Sequence, residues 1–161
     1  MAEHTNDLDL KKLSYMAMEG DTEALKHIMD KASQGDAEAQ FRLGFYYHSE
    51  SSGVQDYSEA VKWYRRAAEQ NHPVAQEKLG WCYHKGKGVD QDYAEAFRLV
   101  RAAAEQGYEQ AQFLLAEWYY NGDGVEKDDA LAEEWSKKAA AQGQTFAKKL
   151  LDEIISSGQA Y

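Results

Sequence analysis

The sequence has 161 residues, of which 43% are hydrophobic and one is proline, and its formal net charge is −10. This length suits a single domain with a packed core. The charge opposes binding to nucleic acid phosphates and to anionic membrane surfaces, so a protein partner with a basic surface fits better.

The cellular compartment is indicated by the N-terminus and by the cysteine count. Residues Met1 to Asp7 contain no basic segment followed by an apolar run, so we expect neither a secretory signal nor a membrane-spanning helix. Cys82 is the only cysteine, which makes an intramolecular disulfide impossible and fits a reducing compartment. We therefore expect a cytoplasmic protein.

The chain begins with a predicted shortened helical hairpin over residues 8–35. Its first helix covers Leu8 to Met18, and its second covers Thr22 to Ser33. Gly20 and Asp21 between them are typical of a helix end followed by an N-cap.

A period of 36 residues begins after this hairpin and predicts the first helix of each repeat. Its markers recur with the residues Ala, Leu, a small residue and Tyr: Ala39, Ala75, Ala111 and Ala147; Leu43, Leu79, Leu115 and Leu151; Gly44, Gly80 and Ala116; Tyr47, Tyr83 and Tyr119. Ala, Leu and Tyr lie four residues apart, which keeps them on one stripe of a helix. We expect this stripe to form the core.

A second helix follows in each repeat. It is marked by Ala60, Ala96 and Ala132, by Trp63, Leu99 and Trp135, and by an Ala-Ala pair near its end. Asp56 with Glu59 and Asp92 with Glu95 predict capping boxes, in which each side chain satisfies a free backbone N–H, and the third copy has Asp128 and Asp129 there. We expect these helices to end at left-handed residues, namely Gly35, Asn71, Gly107 and Gly143.

These markers divide a single domain, residues 1–161, into the shortened hairpin and four further segments. The predicted repeats cover 36–71, 72–107 and 108–143, and Pro73 lies where the first helix of the second repeat begins. A final helix over 144–158 keeps Leu151 but has Asp152 and Ile155 in place of the small residue and the tyrosine. We predict that it caps the array, because an end repeat needs one solvated face.

The full pattern is Ala-x-x-x-Leu-Gly-x-x-Tyr, then Gly-x-Gly-Val, Asp, Ala-x-x-Trp, Ala-Ala and Gly, and it resembles the Sel1-like repeat, a relative of the tetratricopeptide repeat. Residues 86–89 and 122–125 fit Gly-x-Gly-Val, whereas residues 49–54 have one glycine and predict a different turn in the first copy. The resemblance implies an all-α, right-handed superhelix (solenoid) of antiparallel helical hairpins. It also implies an adaptor or scaffold without enzymatic activity.

The resemblance further implies that the first helix of each pair lines a concave wall. The partner-binding residues would then be those outside the Ala, Leu and Tyr stripe: Phe41, Arg42, Phe45, His48, Glu77, Lys78, Trp81, His84, Phe113, Glu117 and Tyr120. Aromatic rings among charges are typical of recognition surfaces. The alternative for any single ring is that it fills the groove between adjacent hairpins.

Catalytic, metal and cofactor chemistry is not predicted. A metal site made of His48, Cys82 and His84 is not predicted, because Cys82 and His84 are two apart on one helix and point in different directions. Cys82 is interpreted as a small buried hydrophobe. The turn at 121–124 resembles the start of a calcium loop, but Ala130 occupies the position of the required glutamate. No P-loop spacing and no pairing of a nucleophile with a base is present.

Three functions remain as hypotheses from different classes. The leading one is an interaction module whose concave face binds a peptide or protein segment. The second is a cytoplasmic immunity or inhibitor protein that blocks a basic toxin, which would bind very tightly and abolish an activity. The third, ranked last, is a regulatory module for a small ligand or metal.

Overall fold

The computed structural model describes residues 9–158 as an all-helical chain without strands in that range, which confirms the predicted fold class. The α-helices are α1 (Leu10–Met18), α2 (Thr22–Ser33), α3 (Ala37–His48), α4 (Tyr57–Glu69), α5 (Pro73–Lys85), α6 (Tyr93–Glu105), α7 (Glu109–Asn121), α8 (Asp129–Ala141) and α9 (Thr145–Gly158). The predicted helix start at Leu8 lies outside the described residues, as does the predicted absence of a signal in residues 1–7.

The second helices are capped by aspartate as predicted, but the second hydrogen bond of each predicted capping box, from the cap N–H to the glutamate, is not formed. The side chain of Asp92 accepts a hydrogen bond from the backbone N–H of Glu95 at 3.0 Å, as expected. The backbone N–H of Asp92 does not need a glutamate, because it donates to the carbonyl oxygen of Tyr83 at 3.0 Å. The Glu95 carboxylate instead pairs with Arg98. Asp56 and Asp128 act as N-caps in the same way.

The predicted left-handed helix ends are confirmed. Gly35, Gly107 and Gly143 have φ angles of 97°, 91° and 88°, and Asn71 has a φ of 61°. Asn71 is the one residue other than glycine with a positive φ within residues 9–158. These ends turn each second helix into the first helix of the next hairpin.

Within a hairpin, the two helices approach most closely at the small residue of the stripe. A Cβ atom added to Gly80 would lie 2.5 Å from Cγ2 of Val100 on the opposite helix. In the third repeat the small residue is Ala116, and Ser136 takes the place of Val100, 36 residues further on. Ser136 is smaller than Val100 and so makes room for Ala116, which is larger than Gly80, because the space between two packed helices is limited.

The two helices of each repeat are joined by a pair of glutamines that the sequence analysis did not single out, and in the first and third repeats both glutamines also donate to carbonyl oxygens of the preceding hairpin. Nε2 of Gln142 donates to Oε1 of Gln112 and to the carbonyl oxygen of Gly107, both at 2.8 Å. Gln112 in turn donates to the carbonyl oxygen of Ala104 at 3.1 Å and is buried. Equivalent pairs join Gln70 to Gln40 and Gln106 to Gln76. Gln40 and Gln112 are buried, and their hydrogen bonds to carbonyl oxygens of the preceding hairpin tie one repeat to the next.

The turns inside the repeats differ as the sequence predicted. The first repeat has a 3₁₀ helix at Glu50–Ser52 that ends at Gly53. The second repeat has Gly86 and Gly88, and a Cβ on Gly88 would lie 2.3 Å from the backbone of Tyr57 in the preceding repeat. The second glycine of the motif is therefore required by the close packing of one repeat on another.

The core contains most of the predicted stripe. The four stripe alanines are fully buried, and so are Leu43, Leu79 and Leu115. The stripe tyrosines were predicted to be core residues but are only half-buried, and they pack against the edge of the core, as do Trp63 and Trp135 of the second helices. Leu151 is also half-buried, while its neighbours Leu150 and Ile154 are buried, because α9 packs against α7 and α8 only.

The first helices of successive repeats contact one another through their side chains. Rings on α3 meet rings on α5, rings on α5 meet rings on α7, and rings on α7 meet rings on α9. These four helices therefore present one continuous surface, which we call the first-helix wall.

Candidate partner-binding surface

The first-helix wall carries all eleven residues predicted to bind a partner, but it exposes them unequally. Phe41, Glu77 and His84 are only 6%, 4% and 3% exposed and contribute almost no contact area. The other eight are partly exposed: Arg42, Phe45, His48, Lys78, Trp81, Phe113, Glu117 and Tyr120. The three buried residues belong to the interior packing beneath the surface of the wall.

At its N-terminal end the wall is held by an ion pair and a hydrogen bond that both involve Glu38. Oε1 of Glu38 lies 2.6 Å from Nε of Arg42, and Oε2 lies 2.8 Å from Nε2 of His72. Nδ1 of His72 accepts the N–H of Ala75 at the start of α5, so its Nε2 carries the proton and donates to Glu38. The hydrogen bond from His72 lowers the pKa of the Glu38 carboxyl, with a further contribution from Arg42.

Phe41 packs against two of these side chains. The His72 ring stacks on the Phe41 ring with centroids 5.0 Å apart, and the Arg42 guanidinium lies 5.1 Å from the same ring centroid. Glu38 and His72 were missed in the sequence analysis. The signal was their position, since 38 is one helical turn before Arg42 and 72 is the N-cap position of α5.

The centre of the wall is an aromatic cluster around Trp81. The ring of His48 lies 5.3 Å from Trp81, and Tyr57 lies 5.2 Å from His48 and 6.4 Å from Trp81. Burial lowers the pKa of His48, and the nearby Lys78 ammonium lowers it further, so the imidazole is held neutral. The three rings of the cluster are partly exposed and lie beside the Lys78 ammonium.

Glu77 lies behind this cluster, at the position where the first and third repeats have Phe41 and Phe113. The Lys78 ammonium is 3.1 Å from its Oε2. Burial raises the pKa of the Glu77 carboxyl, because the low-dielectric interior disfavours its charged form. The Tyr64 hydroxyl of α4 is also buried and has no hydrogen-bond partner within residues 9–158.

His84 occupies the same repeat position as His48 but has different surroundings. Its ring stacks on Trp118 of α7, and Nε2 lies 3.3 Å from the carbonyl oxygen and 3.4 Å from Oδ1 of Asp123. One repeat earlier, the residue equivalent to Asp123 is Lys87, whose ammonium lies over the Tyr57 ring. His84 therefore packs the second repeat against the third and is not accessible to a partner.

At the C-terminal end of the wall, α7 and α9 enclose a groove of about 250 Å³. We call it the α7–α9 groove, and it is lined by Phe113, Glu117, Asn121, Phe146, Lys149, Leu150 and Glu153. The sequence analysis identified two of these seven residues as binding residues. Three of the others, Lys149, Leu150 and Glu153, could have been found by carrying the predicted set one period further, but Asn121 and Phe146 do not follow from it.

Cys82, which the sequence analysis weighed as a metal ligand, is buried. Burial raises the pKa of the Cys82 thiol to about 12, so it is not a nucleophile at neutral pH. In residues 9–158 no three His, Cys, Asp or Glu side chains are grouped as metal ligands. None of the helices described above combines the length and the apolar composition needed to cross a bilayer.

The family model of the Sel1 repeat matches residues 37–72, 73–108 and 109–144. Each match begins one residue after the corresponding predicted repeat. A search of curated proteins gave no significant match.

Among solved structures, c5321, a protective antigen of uropathogenic Escherichia coli with an SLR fold, is 37% identical with a TM-score of 0.83. The alignment covers 92% of this chain and 33% of that protein, so this chain spans about a third of its length. A Sel1 repeat protein from Oxalobacter formigenes is 43% identical with a TM-score of 0.69, and the alignment covers 80% of this chain and 97% of that one. The cysteine-rich protein B of Helicobacter pylori supports the fold alone, at 22% identity, a TM-score of 0.62 and coverage of 92% and 98%.

Proposed function

Because the chain belongs to the Sel1 repeat family, whose members are generally non-enzymatic protein-interaction modules, we propose that it binds a peptide or protein segment along the first-helix wall. In this proposal the wall is the concave face of the solenoid. The partly exposed residues of the predicted set make the contacts, and no cofactor or metal takes part.

One observation carries the proposal. Partly exposed aromatic rings occur along the whole wall, from Phe45 and Trp81 to Tyr120 and Phe146, the last of which is 62% exposed. Rigid rings of this kind contribute large contact areas at a low cost in conformational entropy. The packing behind them, from Glu38 to the glutamine pairs, keeps the wall preorganised and so lowers the entropy that binding would cost.

The test is a comparison of two tryptophan variants. A partner is first captured from the native cell with the wild-type chain, identified and purified. Trp81→Ala is then expected to weaken binding of that partner by about 2 kcal/mol or more, as for a central aromatic residue. Trp63→Ala, on the second helix of the first repeat, is the matched control and leaves the Kd unchanged. Equal affinities of both variants, with helical content preserved, would sink the proposal.

The immunity or inhibitor function is a second candidate, supported by the net charge of −10 and the small size of the chain. An inhibitor abolishes an activity of its partner and binds with a nanomolar or lower Kd, whereas an adaptor leaves that activity intact. An activity assay of the captured partner, with and without the chain, distinguishes the two.

A cytoplasmic location completes the proposal. Cys82 is unpaired and buried, as is usual for a protein of a reducing compartment. Fractionation of the native cell tests this part independently of binding.

A further inference from the structure

The α7–α9 groove combines an apolar floor with carboxylates at its edges. Phe113 of α7 and Phe146 of α9 pack against each other with ring centroids 6.2 Å apart, and Leu150 of α9 also lines the groove. Phe146 is the most exposed large hydrophobic side chain among residues 9–158. An apolar surface left open between two helices is a place where a partner side chain can be buried.

The two carboxylates, Glu117 and Glu153, differ from Glu38 and Glu77 on the same wall. Glu38 is paired with Arg42 and His72, and Glu77 lies against Lys78. Glu117 and Glu153, one period apart on α7 and α9, form no ion pair with any residue in the described part of the chain. The charge of these two groups is therefore available to a ligand.

One cation lines the groove as well. The Lys149 ammonium lies 6.0 Å from the ring centroid of Phe146 and pairs with neither glutamate. Two carboxylates against one ammonium leave the groove with a net negative charge. A ligand that matches it needs both an apolar stem and a positive end.

We propose that the α7–α9 groove binds an arginine side chain of the partner. Its methylene stem lies on Phe113, Phe146 and Leu150, and its guanidinium lies between Glu117 and Glu153. Arginine fits better than lysine, because a planar guanidinium stacks on aromatic rings and donates two hydrogen bonds at once to a carboxylate. This inference rests on the proposed function, since it names the chemistry of a partner bound on the same wall.

The probe is a pair of short peptides of nearly equal shape. Ac-Gly-Leu-Arg-Leu-Gly-NH2 and its citrulline analogue differ by one charge, and each is titrated into the 15N-labelled full chain up to about 10 mM, since a single side chain gives weak affinity. The arginine peptide is expected to shift the backbone amides of Phe113, Glu117, Phe146 and Glu153. The citrulline peptide is expected to bind about fivefold more weakly. Raising NaCl from about 0.05 M to about 0.5 M removes most of that difference.

Variants of the lining residues give effects of opposite sign. E117Q and E153Q each weaken binding of the arginine peptide toward that of the citrulline peptide, while K149Q strengthens it. W63A, on the second helix of the first repeat and outside the first-helix wall, leaves the peptide affinity unchanged. The three groove variants change exposed or partly exposed side chains, and an unchanged HSQC spectrum outside α7 and α9 verifies that they fold.

Equal affinities for the two peptides, shifts confined to other helices, or no shift up to about 10 mM would overturn the arginine assignment. Such a result is separate from the proposed function, which is judged by the effect of W81A on the natural partner. If W81A weakens that partner while the peptides fail, only the arginine groove is wrong. If the peptides behave as expected and W81A has no effect on the partner, the wider wall is wrong.

Discussion

The imidazole of His84 stacks on the indole of Trp118, with ring centroids 4.4 Å apart and planes inclined by only 8°. The two residues belong to different repeats, so the stack joins α5 to α7. His48, at the same position one repeat earlier, meets Trp81 at 5.3 Å and 39° and is more exposed. The two histidines therefore differ in how much of the repeat stacking depends on them.

We expect His84→Ala to lower the free energy of unfolding by about 2 kcal/mol, because it removes a buried ring and leaves a cavity against Trp118. His48→Ala is the matched control, and we expect a loss of about half that size. Urea denaturation followed by circular dichroism measures both. A loss for His48→Ala as large as that for His84→Ala would contradict the role assigned to the stack.

Gly88 is expected to be much less tolerant of substitution than Gly107. Both have a positive φ, but a Cβ on Gly88 would lie 2.3 Å from the Tyr57 backbone, whereas a Cβ on Gly107 meets nothing within 4 Å. Gly88→Ala should cost about 3 kcal/mol through strain and overpacking. Gly107→Ala should cost about 1 kcal/mol through the left-handed backbone alone. Thermal unfolding of the two variants measures the difference, and equal costs would refute the close approach of the repeats.

Glu77→Gln is expected to stabilise the protein at pH 7 by about 1 kcal/mol, because it removes a carboxylate whose charge is poorly solvated. Burial raises the pKa of Glu77, so stability falls as the pH rises from the ordinary glutamate pKa, about 4.3, toward the folded value. The advantage of the variant should therefore disappear near pH 4. Urea denaturation at several pH values checks this, with exposed Glu69→Gln as the control. A constant advantage across the pH range would show that Glu77 is not the cause.

The buried thiol of Cys82 can be used to measure how often α5 opens to solvent. Its thiol is fully buried and burial raises its pKa to about 12, so we expect reaction with DTNB at pH 8 to be about 100-fold slower than in the urea-unfolded chain. The control is Lys85→Cys in a Cys82→Ala background, since Lys85 is exposed on the same helix. That thiol should react at once. Prompt reaction of native Cys82 would mean that α5 opens readily.

The sequence by itself determined the all-helical repeat architecture, the period of 36 and the residues at which most helices begin and end. These features are local: a cap such as Asp92 acts on the next turn of its own helix, and Asn71 takes a left-handed conformation because of its own side chain. The predicted role of the capping glutamates was wrong, because the hydrogen-bond partner of the cap residue's N–H is not local. The N–H of Asp92 is satisfied by Tyr83, nine residues away across the turn, which a local motif does not reveal.

The tertiary structure alone decided which wall residues face solvent. Phe41, Glu77 and His84 follow the same pattern as their exposed neighbours but are buried. Phe41 and His84 are covered by the rings of His72 and Trp118, which lie more than 30 residues further along the chain. The α7–α9 groove is likewise a product of the tertiary structure, because its lining combines residues from two helices one period apart. Periodicity fixes which side of a helix is apolar, but exposure depends on the size and position of the neighbour that packs there.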